Sequence, residues 1–509
     1  MKLRISMALF IFCLFLTKVS AQEIQVDSLD HFIHQLMEDF EVTGLSVGIV
    51  QNDSIVYSKG FGLRQSGKPD RVDDQTLFGI GSISKSFTAL TLGLLVDEGK
   101  IDWDDRVVEY LPYFELYDPY VTEHFTIRDL LTHHSGLKDV SGGTLWYHSD
   151  YSRVEIIKRL KHLKPISGFR EKPAYQNTMF VVAGEIVSEV AGISWDDFLK
   201  ERILDKIDMS NTTSVSEVRE ASSNIARPHI WDENFQKTAI IQERGDNLAA
   251  AGFIYSSAHE MINYMRLLLN GGDFEGDSLV STEVIEEIFK PQVLFQISSP
   301  PFGNEFTSYG LGWWLTPRNG HKIIEHSGGI DGMSAQLFMV KDLDIGVVIL
   351  TNVSKEPASF LLKAKLLEWI LKDDSYDIYE LGKAFRKRRF ENIKESINNR
   401  LRIEETKPSL ALADYAGVYT DEMYGDIIIS QSKDDDLEIS FSHTPLFSGK
   451  LIHWHYDTFK IDWHDMRVPD GFLIFNFDAT HQVKGFTIEQ ENLLDVDFGE
   501  LDIIKKKTD

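Results

Sequence analysis

Sulfur chemistry is nearly missing from this chain: of 509 residues one is cysteine, Cys13. A cysteine nucleophile, a thiolate metal site and a disulfide framework are excluded with it. Basic residues are scarce too, 52 Lys and Arg against 79 Asp and Glu, for a formal charge of −27. So acidic a protein is repelled by phosphate backbones and anionic lipid, which argues against nucleic acid or a membrane surface as partner. No His-Glu-x-x-His, phosphate loop or dinucleotide fingerprint is present, and no low-complexity tract or short repeat. His133-His134 are adjacent and point differently, and His453 and His455 could share a strand face near His464 and Asp465. Neither group has metal-ligand spacing, so no metal or other cofactor is expected.

Long apolar runs are lacking as well. The run from Ile5 to Leu16 follows Met1-Lys2-Leu3-Arg4 and precedes Val19-Ser20-Ala21. A charged start, a short apolar core and small residues read as a secretory signal over residues 1–21, cleaved after Ala21. It is too short to remain as an anchor, so no membrane span is expected in the mature chain. Cys13 follows Phe10-Ile11-Phe12, without the small residues of a lipidation site. A secreted or periplasmic protein is expected. Loss of Lys2, Arg4 and Lys18 takes its charge to −30.

About 490 remaining residues exceed what one core usually holds. Leu45 to Val50 and Ile55 to Gly62 read as a hairpin around Asn52-Asp53, and Ala335 to Val340 with Ile345 to Thr351 as a second. Between them helical periods run over Phe87 to Glu98, Val154 to Leu163, Val182 to Ala191 and Ala258 to Leu269. Strands at both ends around a helical middle predict an α+β domain whose sheet is built from both termini, with a cleft against the helices. An apolar helix, Phe360 to Leu371, is followed by a charged helical stretch, Leu381 to Arg402, read as a solvated connection. From about Leu410 the period changes to two, in Asp426 to Ile429, Leu437 to Phe441, Phe459 to Trp463 and Phe472 to Phe477. These short runs predict a small antiparallel barrel or sandwich. The expected units are 22–372, a helical linker 373–408 and a β-rich domain 409–509.

Ser82-Ile83-Ser84-Lys85 stands at the mouth of the first apolar helix. Positions i and i+3 share a face, so Ser82 Oγ and Lys85 Nζ can meet while Phe87, Leu90, Leu92 and Leu95 bury the helix. The helix N-terminus favours a neutral Lys85 and a developing alkoxide on Ser82. The same spacing in Ser135 to Lys138 and Ser430 to Lys433 lacks this setting. With Tyr175-Gln176-Asn177, which holds the chain's one Tyr-x-Asn, and His326-Ser327-Gly328 downstream, the set reads as a serine acyl-transfer site.

Phe78 to Ala89, Tyr175-Gln176-Asn177 and His326-Ser327-Gly328 resemble the three signatures of the serine β-lactamase and penicillin-binding-protein family. The similarity is to its class C-like branch, which includes esterases and D-aminopeptidases. Ile101 to Asp105, Thr126 to Leu137 and Tyr309 to Trp313 match as well, and the likeness covers roughly Val26 to Leu371. Leu412 to Tyr419 resembles the start of the β-rich domain that often follows.

The resemblance implies a β-lactamase/transpeptidase-like fold, an antiparallel sheet flanked by helices with a mostly helical subdomain. It also implies Ser82 as nucleophile, Lys85 and Tyr175 as proton carriers, and Asn177 as a group that orients Lys85 and holds the substrate. The N–H groups of Ser82 and Gly329 would form an oxyanion hole, with His326, Gly328 and Gly329 along the substrate edge. Tyr175 becomes a base only beside a cationic Lys85 that favours its phenolate. His326 stands where lactamases carry lysine, so a β-lactam carboxylate loses a permanent cation, and lysine at 326 is expected to restore affinity for carboxylates. The expected substrate is a small molecule or peptide with an amide or ester bond. A true β-lactamase, and a non-catalytic scaffold or binding protein on the same fold, remain alternatives.

Overall fold

The computed structural model describes residues 26–232, 236–241, 244–295, 306–354, 356–373, 378–398, 401–432, 436–490, 493 and 495–506. The expected export signal over residues 1–21, with Cys13, lies outside the described residues.

Helix α1 (Val26–Asp39) buries Leu29, Ile33 and Leu36, the stripe that a 3.6 period places on one side. Strands β1 (Gly44–Gln51) and β2 (Ser54–Gly62) follow, and Asn52 and Asp53 turn between them at φ +49° and +59°. That left-handed pair makes the tight turn whose twist matches a hairpin. Helix α2 (Ser84–Asp97), α3 (Thr178–Ala191) and α4 (Ala258–Leu269) belong to the middle of the chain. The remaining sheet strands are β3 (Val293–Phe295), β4 (Thr307–Tyr309), β5 (Trp314–Arg318), β6 (His321–Ile330), β7 (Met333–Val340) and β8 (Ile345–Thr351).

These make one eight-stranded sheet in the order β2-β1-β8-β7-β6-β5-β4-β3. The two terminal hairpins meet where β1 pairs with β8, one strand in from the β2 edge, with Val47 opposite Ile349 in an antiparallel ladder. One face is covered by α1 and α5 (Ala358–Leu371), and its apolar cluster holds Leu36, Val47, Ile349 and Leu366. Helix α4 lies on the other face, against β1 and β8. Gly48 allows that approach, because a Cβ there would stand 2.8 Å from the Ala258 carbonyl and 2.9 Å from Ile262. Helix α6 (Ile378–Asn398) carries the expected charged stretch, and its Arg386 pairs with Glu41 at 2.9 Å and Glu356 at 3.0 Å.

The β-rich part is a closed barrel, which settles the choice between barrel and sandwich. Its strands are β9 (Gly417–Asp421), β10 (Gly425–Gln431), β11 (Leu437–Phe441), β12 (Thr444–His455), β13 (Thr458–Trp463), β14 (Gly471–Phe477), β15 (Val483–Glu489) and β16 (Ile504–Lys505). Ile427, Ile429, Ile439, Phe441, Phe459 and Phe475 alternate inward. Pairing of β9 with β16, Tyr419 opposite Lys505, closes the ring and removes free edges. The barrel packs on the helical middle of the first domain, where Tyr147 and Phe447 stack at 5.9 Å. His443 Nδ1 lies 2.7 Å from Asp150, and Tyr151 donates to the Tyr424 carbonyl.

Candidate active site

Phe78-Gly79 pairs with Tyr255-Ser256, and the chain then turns sharply at Gly81, φ +55°, through a 3-10 turn (Gly81–Ile83) into α2. Ser82 is the partly exposed residue of a stretch that is otherwise buried from Phe78 to Leu95. Lys85, one turn on, is fully buried, as expected of a helix that is buried on every side from Ser84 to Leu95. Its Nζ lies 3.1 Å from Ser82 Oγ, 2.7 Å from Asn177 Oδ1 and 2.8 Å from the Ala251 carbonyl. Burial lowers its pKa to about 7, with the Asp495 carboxylate pulling the other way. In the neutral amine two hydrogens serve Asn177 and Ala251, which leaves the lone pair for the Ser82 hydroxyl proton.

Tyr175 precedes α3, and its ring lies under Lys85, 4.7 Å from Nζ to centroid. Its hydroxyl is buried and makes no bond of ordinary geometry among the described residues. Burial pushes the phenol well up, Asp495 and Asp139 add to that, and Ser82, near but not in formed-bond geometry, opposes it. A near-neutral Lys85 and a raised Tyr175 favour the uncharged pair. The phenolate arrangement expected beside a cationic Lys85 is therefore disfavoured. Asn177 is the cap residue of α3 but makes no capping bond: its Oδ1 accepts from Lys85 and its Nδ2 donates to Asp495 at 2.9 Å.

His133 lies beneath Tyr175, ring centroids 4.3 Å apart, and was not expected there. It ends the helix Ile127–Thr132 at φ +61°, and its Nδ1 accepts from the Gln176 N–H at 3.0 Å. Burial holds it well below the usual imidazole range, so it is neutral packing for the tyrosine.

Strand β6 overruns its neighbour. The β5–β6 ladder ends at Trp314 opposite Glu325, so Ser327 to Ile330 present an edge toward the Ser82 turn. The approach is tight, because a Cβ on Gly328 would lie 1.8 Å from the Ile80 carbonyl, and one on Gly81 2.4 Å from Gly329 N. Gly329 faces open space and lines the concavity. His326 and Gly328 do not line it. The His326 ring is buried, with Nε2 2.9 Å from the Tyr309 hydroxyl and Nδ1 2.7 Å from the Ser327 carbonyl. Burial, then Lys85, lower its pKa to about 3, so it is neutral. The expected substrate edge thus falls to Gly329, with His326 behind it.

The concavity is narrow, and Ser82, Asn177, Gly329, Trp146, Tyr147 and Phe253 line it. Asp331 and Asp495 complete it. Asp495 comes from the stretch between β15 and β16, and its arrival is unannounced in the sequence. Among the described residues no group of three or more His, Asp or Glu could hold a metal ion.

Such a sheet, with serine, lysine and tyrosine gathered under one cleft, defines a serine hydrolase. The Beta-lactamase family model matches residues 29–368, and the chain belongs to that family. A domain of unknown function, DUF3471, matches residues 401–504, across the barrel. The unguisins hydrolase ungD of Aspergillus violaceofuscus is 24% identical over 77% of this chain and 74% of its own. Penicillin-binding protein 4* of Bacillus subtilis is 27% identical over 65% and 72%. Among solved structures, the octameric penicillin-binding protein homologue from Pyrococcus abyssi superposes with a TM-score of 0.62 at 22% identity. It covers 95% of this chain and 100% of its own. A D-stereospecific amidohydrolase from Streptomyces gives 0.51 at 24% identity, over 63% and 93%.

Proposed function

We propose that the chain is an exported hydrolase that cleaves an amide or ester through an acyl-enzyme on Ser82, in the manner of a peptidase or esterase. One observation carries the reading: a buried lysine, its pKa brought to about 7, sits 3.1 Å from the serine hydroxyl. A base poised near the working pH is what proton abstraction from a hydroxyl requires.

In the first half-reaction Ser82 Oγ bonds to the substrate carbonyl carbon as its proton passes to neutral Lys85. The resulting ammonium lies over the Tyr175 ring, a stabilising contact. The Ser82 and Gly329 N–H groups take the oxyanion, at about 3 kcal/mol per donor. The bond to the leaving nitrogen or oxygen then breaks as Tyr175 donates its proton and is refilled from Lys85. Water attacks the ester so formed, gives its proton back through the same groups to Ser82 Oγ, and releases the acid.

Hydrolase and amidohydrolase in the names of similar proteins support this reaction class. Export rests on the N-terminal sequence pattern. The test is intact-mass and peptide mapping of the mature protein after incubation with short acyl esters, D-peptides and penicillins. An adduct on Ser82 is expected with an ester or peptide; no adduct with any of them overturns the proposal.

A further inference from the structure

The stretch from Thr126 to Leu137 contributes no reacting group, yet it underlies the segment that carries Tyr175. Asp129 takes the Arg170 guanidinium at 2.8 and 2.6 Å, the His134 carbonyl accepts from the Arg170 N–H at 3.0 Å, and the Gly136 carbonyl from the Ile166 N–H at 3.0 Å. Around the tyrosine the hold tightens. The His133 carbonyl accepts from the Ala174 N–H at 2.9 Å, Asp139 from the Tyr175 N–H at 2.7 Å, and His133 Nδ1 from the Gln176 N–H at 3.0 Å. The Val140 N–H donates to the Tyr175 carbonyl at 2.7 Å. The barrel backs this loop in turn: Asp497 pairs with Lys138, and Glu500 accepts from Ser141 and from the Gly142 N–H at 2.8 Å.

His133 therefore bonds to the backbone on both sides of Tyr175, and its ring lies under the phenol, centroids 4.3 Å apart. Three demands meet at this one position. The backbone is left-handed, φ +61°, a region that His and Asn enter more readily than most residues. A flat ring packs against Tyr175 on one side and Tyr309 on another, 4.6 Å between centroids. An acceptor has to face the Gln176 N–H, because an unpaired donor at that fully buried residue is costly. Since Nδ1 accepts, the hydrogen sits on Nε2, and the imidazole serves only while uncharged. Burial keeps it so, with Lys85, His326 and His134 adding to the effect.

We propose that His133 is the positioning residue for proton transfer from Tyr175 to the leaving group, fixing the tyrosine backbone on both sides and its ring from below. Its Nδ1 is committed to a backbone N–H, so its effect on the reaction passes through Tyr175. The proposal rests on the acyl-enzyme reading above, in which Tyr175 protonates the departing group. A donor displaced by about 1 Å costs about 100-fold in rate.

The test uses leaving groups of unequal demand. A p-nitrophenolate departs without a proton whereas an ethoxide needs one, so two esters of one acyl group separate the placement of the donor from the rest of the site. kcat/KM of the full mature chain is measured on the p-nitrophenyl and ethyl esters of butyrate and of N-acetyl-D-alanine. His133→Phe keeps a ring and removes the acceptor; it is expected to slow the ethyl ester about 100-fold and the p-nitrophenyl ester no more than about threefold. His133→Asn suits the left-handed backbone and sets an oxygen near the place of Nδ1, and is expected to return the ethyl ester to within about tenfold of wild type. Equal falls on both esters, an unaltered ratio, or an asparagine variant no better than the phenylalanine one overturns the proposal, because a merely structural role lowers both substrates together. Should His133→Phe fail to accumulate, His133→Ala takes its place under the same expectations. Tyr175→Phe is the reference and should shift the ratio in the same sense. An unchanged ratio there, or no Ser82 adduct with any ester, would instead overturn the underlying reaction, so the two failures are separable.

Discussion

Asn177 joins the two halves of the chain: the amide that accepts from Lys85 at 2.7 Å donates to Asp495, 318 residues further on, at 2.9 Å. An asparagine at the first turn of α3 thus serves a lysine on one side and a barrel carboxylate on the other. Its four possible hydrogen bonds explain the choice of an amide, since a carboxylate could not donate to Asp495.

Ser82→Ala is expected to lower kcat by at least about a thousandfold. Its thermal midpoint should stay close to wild type, because Ser82 is partly exposed and its hydroxyl contacts Lys85 alone among the hydrogen bonds formed. Residual turnover above a hundredth of wild type would place the nucleophile elsewhere.

The pH profile follows from Lys85. The base works when neutral and its pKa is about 7, so kcat/KM should fall about tenfold per unit below that value and level off above it. Asp495 raises the lysine pKa, so Asp495→Asn should move this limb toward acid. A limb that stays in place would separate Asp495 from the base.

His326→Lys tests the inner wall. Sequence reasoning expects such a change to improve carboxylate binding, but the site is buried and close enough to Lys85 for that charge to lower the imidazole pKa. A second ammonium there would be unpaired, so a loss of about 3 kcal/mol or more is expected in urea unfolding. An unchanged midpoint would mean that water reaches residue 326.

Gly328→Ala and Gly329→Ala are neighbours with opposite expectations for stability. The first drives a Cβ to 1.8 Å from the Ile80 carbonyl, while the second meets nothing within 4 Å. The first should lower the melting temperature by several degrees, roughly 2 kcal/mol of strain, and the second hardly at all. Similar losses in both would contradict the close crossing of β6 over the Ser82 turn.

Much of this was legible beforehand where the pattern is local. The Asn52-Asp53 hairpin, the β7–β8 hairpin and the helix behind Ser82 each follow from residues within a few positions of one another. Barrel closure was not, because alternation tells which residues face inward but not whether β9 finds β16. Nor was the burial of His326, since a strand residue's face depends on which neighbours run alongside it. Asp495 left least trace of all: its stretch has no repeat or motif, and only the folded barrel brings it to Asn177.

The clamp between Glu500 and the Ser141-Gly142 segment has a wider consequence. The reacting side chains and one wall of the cleft are written in separate stretches of polypeptide, so the stretch between β15 and β16 can be redrafted while the serine, lysine and tyrosine stand untouched.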